Sequence, residues 1–261
     1  MRPRARASLA ALAALAALLL LVAGCGSGSG QADNGAETGT LTVLAASSLT
    51  EVFTELKKQF EADHPGVTVK LAFDSSATLA EQVNQGAPAD VLATADQRTM
   101  RSVADSDGTD GAPRTFATNR LAMVVPAGNP AHLTSFAGLD KRGVSYVVCV
   151  PTAPCGALAR TQLRAHHITA RPRSEEVDVK AVLSKVELDE ADAGLVYVTD
   201  AVAASDKVKR IDIPSSGANL NTYPIAALSG AAKPGLAHAW VDLVLSERGH
   251  QVLATAGFGT P

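Results

Sequence analysis

The sequence predicts an α/β protein of two lobes, the second inserted into the first. Three observations predict it. Strand-like and helix-like patterns alternate almost throughout, which implies parallel strands with helices packed on their faces. A polar, turn-rich stretch, DSDGTDGAPR at 105–114, interrupts that alternation. Two strand-like segments, NRLAMVVPAG at 119–128 and NTYPIAALSG at 221–230, lie where the chain would cross to another lobe and return.

At the N-terminus, Arg2, Arg4 and Arg6 precede an Ala, Leu and Val run from Leu9 to Ala23 that closes on LLLLVAGC. So short a run ending in small residues reads as a secretory signal rather than a membrane span. Its ending is similar to a bacterial lipobox, so 1–24 is expected to be removed and Cys25 to carry a lipid. GSGSGQADNGAETG follows at 26–39 without apolar periodicity. Residues 25–39 are therefore expected to form a flexible tether reaching roughly 20 Å.

The folded body is expected from about Thr40. TLTVLAA at 40–46 is strand-like, and the segment after it spaces Val52, Phe53, Leu56 and Phe60 as one helix face, stopping at Pro65-Gly66. VTVKLAF at 67–73 is a second strand, followed by a helix around Leu79 to Gln85, and ADVLATAD at 89–96 is a third. The second lobe reads as VSYVVCV, a helix from Gly156, a helix near Val179 to Leu188, and AGLVYV. One long amphipathic helix, Pro234 to Ala256, is expected at the end. The expected boundaries are 40–121 and 223–261 for the first lobe and 122–222 for the second.

Composition narrows the function. Without residues 1–24, which hold three arginines and no acid, 20 Lys and Arg face 26 Asp and Glu, a net charge of about −6. No basic patch and few aromatics argue against nucleic-acid binding. An anionic ligand would have to be attracted by local dipoles against the overall field. Cys149 and Cys155, in VVCVPTAPCGALA, are expected to form a disulfide, because paired cysteines outside the cytoplasm are generally bridged and the proline-containing loop is small. Two thiols without neighbouring His or Cys fall short of a zinc set.

VLAASSLTEVF at 43–53 and KLAFDSSATLAEQV at 70–83 share one pattern: an apolar strand, a serine pair, a threonine soon after, and a helix. Ser is a good N-cap, which explains either pair alone. Two such pairs at successive strand-to-helix junctions point further, to hydroxyls and unpaired N–H groups aimed at a shared anion. Ligands of open α/β folds bind outside the carboxyl ends of strands, where both pairs sit.

With LTVLAASSLTEVFTEL, FDSSATLAEQVNQGAPADVLATADQRTM and VDVKAVLSKVELDEADAGLVYVTDA, the chain resembles the periplasmic molybdate-binding components of ABC transporters, the ModA family. The resemblance extends from Leu41 to near the C-terminus. It implies a type II periplasmic-binding-protein-like fold that holds a tetrahedral oxyanion in the inter-lobe cleft with neutral donors only. Carried over by residue, those donors are Ser48, through hydroxyl and backbone N–H; Ser76; Cys155 and Val179, through backbone N–H; and Tyr197, through its phenol. Molybdenum would be held only as molybdate, or tungstate in its place, with no cofactor. The resemblance further implies a monomer that serves an ABC permease from outside the cytoplasm. Cys155 stands where the family commonly has Ala. Asp74 stands where small residues are usual, and is expected to face outward or to cap the following helix.

The alternatives are a receptor for sulfate or phosphate, and an extracytoplasmic serine hydrolase. Hydrolase chemistry lacks support: no G-x-S-x-G, H-E-x-x-H or P-loop pattern is present, and His64, His166, His167, His238 and His250 occupy helix ends or separate faces. The acidic run ELDEADAG at 187–194 lacks calcium-loop spacing and reads as a solvated turn. Phe116, Tyr146 and Trp240 are expected in the core.

Overall fold

The structure, a computed structural model, describes residues 37–261. The expected leader, Cys25 and the tether up to residue 36 lie outside the described residues. Glu37 is already docked on the body, its carboxylate accepting the N–H of Leu236 at 3.0 Å.

Two five-stranded sheets form the frame. The first contains β1 (Gly39–Ala46), β2 (Val67–Asp74), β3 (Val91–Ala93), β4 (Arg114–Asn119) and β10 (Asn221–Ala227), in the order β2-β1-β3-β10-β4. β1 runs parallel to β2 and β3, and β10 antiparallel to β3 and β4. The second contains β5 (Leu121–Pro126), β6 (Tyr146–Cys149), β7 (Ser174–Glu176), β8 (Ala193–Tyr197) and β9 (Val208–Asp212), in the order β7-β6-β8-β5-β9. The chain passes from the first sheet to the second through Arg120 alone and returns before Asn221, which pairs with Asn119. The two lobes are thus hinged where two asparagines face each other.

The helices follow the apolar pattern. Α1 (Thr50–Asp63) buries Val52, Phe53, Leu56 and Phe60, and the turn after it places Gly66 at φ +89°, open to glycine because it lacks a Cβ. Phe53 and Phe60 meet Trp240 edge-on at 5.6 and 5.4 Å, which makes that ring the centre of the first lobe's core. Phe116 and Tyr146 are buried as expected.

The structure departs from the sequence reading in several places. Α2 (Ser76–Asn84) begins three residues before Leu79, so Ser76 itself opens the helix. The strand expected over 89–96 is confined to β3. Its preceding residue, Asp90, turns its carboxylate onto the N–H groups of Thr42 (2.7 Å) and Lys233 (3.1 Å), pinning the start of the strand to two distant segments. Α3 (Gln97–Ala104) has no counterpart in the sequence reading; Asp96 caps it by accepting the N–H of Thr99 at 2.8 Å. Α4 (Pro154–Ala165) starts two residues before Gly156, with Pro at its first turn. Α5 (Val179–Glu187) lies where expected, and a short α6 (Val198–Ala203) follows β8 directly. The single C-terminal helix proves to be two, α7 (Pro234–Leu245) and α8 (Glu247–Thr255). Ser246 breaks the run at ψ 165°, and its hydroxyl accepts the N–H of Gly249 at 3.1 Å to start α8. Amphipathic spacing continues across the break, so periodicity alone did not reveal it.

Candidate functional site

All five sequence-predicted ligand residues line one cavity between the lobes. Ser48 lies in a 3-10 turn, Ser47–Leu49, between β1 and α1, and Ser76 opens α2 after β2. Facing them are Cys155 in the first turn of α4, Val179 at the start of α5, and Tyr197 at the end of β8. Ala46, Ser47, Asp74, Ser75, Ala95, Pro154 and Asp178 complete the lining. The free space between these walls is about 10 Å³, far below the ~300–1,000 Å³ of sites for drug-sized molecules, so the cavity has room for a small ion only. A larger groove between α1 and α8 is open to solvent and carries the acidic Glu51, Glu55 and Asp63 beside Arg248.

Three hydroxyls of the wall, those of Ser48, Ser76 and Tyr197, have partners behind them within the protein. The N–H of Ala95 donates to Ser76 Oγ at 2.9 Å, filling an acceptor position and leaving the Ser76 proton to be donated elsewhere. Asn221 Nδ2 lies 2.6 Å from Tyr197 Oη and donates to it. Ser48 Oγ lies 3.0 Å from Tyr223 Oη. Burial raises the phenol pKa of Tyr197 well above its ordinary value, so the ring keeps its proton and can act as a donor.

The backbone donors come from helix starts. First-turn N–H groups have no intrahelical acceptor and carry the positive end of the helix dipole. On the second lobe, α4 is held by a disulfide between Cys149, at the end of β6, and Cys155, with Cα atoms 5.8 Å apart. Gly156 follows against the carbonyls of Cys149 and Val150, an approach that leaves no room for a Cβ. Asp178 caps α5, accepting the N–H of Ala181 at 2.9 Å.

One cation sits close by, outside the lining. Lys180, the residue after Val179, reaches Asp200 Oδ1 at 3.0 Å and, across the cleft, Glu51 Oε1 at 2.7 Å. Asp200 is fully buried and accepts the N–H of Tyr197 at 3.2 Å, so the ion pair fastens the start of α5 to the turn that carries Tyr197. Burial pushes the Asp200 carboxyl up to about 6, although Lys180 pulls it down. Burial lowers the Lys180 ammonium, but Asp200 and Glu51 together outweigh it and the net shift is upward. A second cross-lobe contact, from Arg98 Nη2 to the carbonyl of Thr152 at 2.7 Å, closes the cleft near α4.

Asp74 corrects the expectation that it faces outward. It lines the cavity, and Oδ1 accepts the N–H of Ser75 at 2.6 Å, ahead of α2 rather than in its first turn. None of the histidines belongs to the lining. His64 stacks on Phe60 at 4.1 Å, and His238 pairs with Asp110 at 2.9 Å. Among the described residues, no cluster of three or more His, Cys, Asp or Glu could hold a metal ion.

Asn119, Asn221 and Tyr223 escaped the sequence reading. Their sole signal was position in the two crossing segments, and only pairing of Asn119 with Asn221 brings them beneath the cavity.

Residues 41–259 match the sequence profile of the bacterial extracellular solute-binding proteins. The molybdate-binding protein ModA of Mycobacterium tuberculosis is 42% identical over 248 residues, covering 93% of this chain and 95% of its own. The periplasmic molybdate-binding protein of Azotobacter vinelandii superposes with a TM-score of 0.76 at 19% identity, over 85% of this chain and 99% of its own. The sulfate-binding protein SubI of Mycobacterium tuberculosis superposes with a TM-score of 0.73 at 16% identity, over 85% of this chain and 86% of its own, so the fold by itself does not choose the ion. Sequence and architecture together make the chain a member of the ModA family of bacterial extracellular solute-binding proteins.

Proposed function

We propose that this protein captures molybdate, and tungstate in the same way, outside the cytoplasm and hands it to the permease of an ABC importer. The observation that carries the reading is the convergence of Ser48, Ser76, Cys155, Val179 and Tyr197 on one small cavity whose lining contains no Lys or Arg. Hydroxyls and helix-start N–H groups solvate a dianion without a full positive charge. The 42% identical relative, itself a molybdate-binding protein, supports the same ion. A lipid on Cys25 would hold the protein at the membrane as a monomer. Among the described residues no helix is long and apolar enough to cross it. Lys180 with Glu51 and Arg98 with Thr152 would form as the lobes close on the ion.

Sulfate is the second reading, favoured by the shared fold of a sulfate-binding protein. It carries the same charge on shorter bonds, so contact with both walls at once decides between the ions. Calorimetric titration of the leaderless protein with molybdate, tungstate, sulfate and phosphate tests the proposal. Molybdate and tungstate are expected to bind tightly and sulfate at least a hundredfold more weakly, about 2.7 kcal/mol. Sulfate binding as tightly as molybdate would overturn the molybdate reading.

A further inference from the structure

We propose that Tyr223 and Asn119, buried residues of the crossing strands outside the cavity lining, set ion selectivity by fixing the direction in which Ser48 points its proton. The proposal rests on the oxyanion reading above.

Direction is imposed from the hinge. The N–H of Arg120 donates to Asn119 Oδ1 at 2.9 Å, which settles which end of the amide is which. The Asn119 Nδ2 group therefore faces inward, donating to Thr199 Oγ1 at 2.9 Å and, over a longer 3.5 Å, to Tyr223 Oη. Tyr223 has no exposure, and burial raises its phenol pKa, so it keeps a proton to give. Either oxygen of the Tyr223–Ser48 pair, 3.0 Å apart, could donate; with Asn119 donating to Tyr223 Oη, the relay assigns that proton to Ser48 Oγ. A serine hydroxyl has one proton. Receiving from Tyr223, Ser48 is left to donate into the cavity.

Ser76 and Tyr197 are set the same way by Ala95 N–H and Asn221 Nδ2. Three hydroxyls thus have an acceptor side filled from within the protein and a proton turned inward. A fully deprotonated oxyanion accepts from all three. Hydrogen phosphate brings a proton of its own, which none of these three hydroxyls can accept, so that proton must turn to Asp74 or Asp178, the carboxylates of the lining. Without its donor from Tyr223, Ser48 could rotate and accept that proton.

The test compares the parent with Tyr223→Phe, in the native and the Ser48→Ala background, by titration with molybdate and displacement by phosphate at mildly alkaline pH, where both ions are dianions. In Tyr223→Phe the ratio of molybdate to phosphate affinity is expected to fall about tenfold. In the Ser48→Ala background the same substitution is expected to leave the ratio unchanged, because the group it orients is gone. Asn119→Asp keeps the shape and every ring, but its carboxylate accepts the Tyr223 proton and reverses the relay. Its added charge acts on both dianions alike, so it too is expected to lower the ratio, and it serves if Tyr223→Phe does not fold. An unchanged ratio in both variants, or an equal change with and without Ser48, overturns the relay. A parent that does not bind molybdate overturns the underlying reading and the relay with it.

Discussion

The two walls of the cavity solve one problem with different materials. The first lobe offers hydroxyls on two serine junctions, Ser48 and Ser76. The second, Tyr197 apart, offers N–H groups at the starts of α4 and α5, where side-chain identity matters little and helix position matters a great deal. Cys155 illustrates the point: a disulfide half-cystine can serve there because the proposed donor is its backbone. What the difference teaches is where each wall is vulnerable. Hydroxyls can be deleted one at a time, whereas a backbone donor is lost only when its helix moves.

The largest expected effect therefore comes from moving a helix. In Gly156→Ala the added methyl meets the carbonyls of Cys149 and Val150, and must push the first turn of α4 off the cavity. Molybdate affinity is expected to fall more than about a hundredfold, measured by titration, with circular dichroism showing the helices retained. Affinity within about threefold of the parent would show that the α4 terminus is not part of the site.

Deleting single hydroxyls ranks next. A hydrogen bond to a charged oxygen contributes about 1.5–3 kcal/mol, so Ser48→Ala, Ser76→Ala and Tyr197→Phe should each weaken molybdate binding roughly ten- to a hundredfold. Ser47→Ala and Ser75→Ala, the other members of each pair, should cost much less, although both line the cavity. Tyr197→Phe binding as tightly as the parent would reduce Tyr197 to packing material. A larger loss in Ser47→Ala than in Ser48→Ala would exchange the roles within the first pair.

Removing the Cys149–Cys155 bridge sharpens the contrast from the other side, because it loosens a wall without deleting a donor. The bridge spans six positions of sequence, and the chain-entropy relation for so small a loop gives about 2 kcal/mol of stability. Replacing both cysteines with serine is expected to lower Tm by roughly 4–8 °C while weakening molybdate binding only several-fold. Calorimetric melts with and without ligand measure both. An unchanged Tm would mean the bridge adds no net stability.

Much of this molecule was legible in its sequence, for identifiable reasons. Apolar periodicity located α1 and α5, because a buried helix face must repeat whatever lies opposite it. Both serine junctions and the positions of Cys155, Val179 and Tyr197 were legible through motif resemblance. Elements whose limits depend on a distant partner were less so. Β3 starts only at Val91, beside Asp90, whose carboxylate reaches the N–H groups of Thr42 and Lys233, residues 48 and 143 positions away. Asp74 could not be aimed from sequence, since outward and cavity-facing orientations leave the same local pattern.

By itself the sequence determined the alternating α/β architecture and the two serine junctions that hold the first lobe's proposed donors, since hydrophobic spacing and helix-start chemistry act over neighbouring residues. Only the tertiary structure decided what stands behind those donors. Tyr223 meets Ser48 across 175 positions, and Asn119 meets Tyr223 across 104. A hydroxyl's proton takes its direction from whichever group fills its acceptor side, and here that group is brought in by the pairing of two strands far apart in the chain.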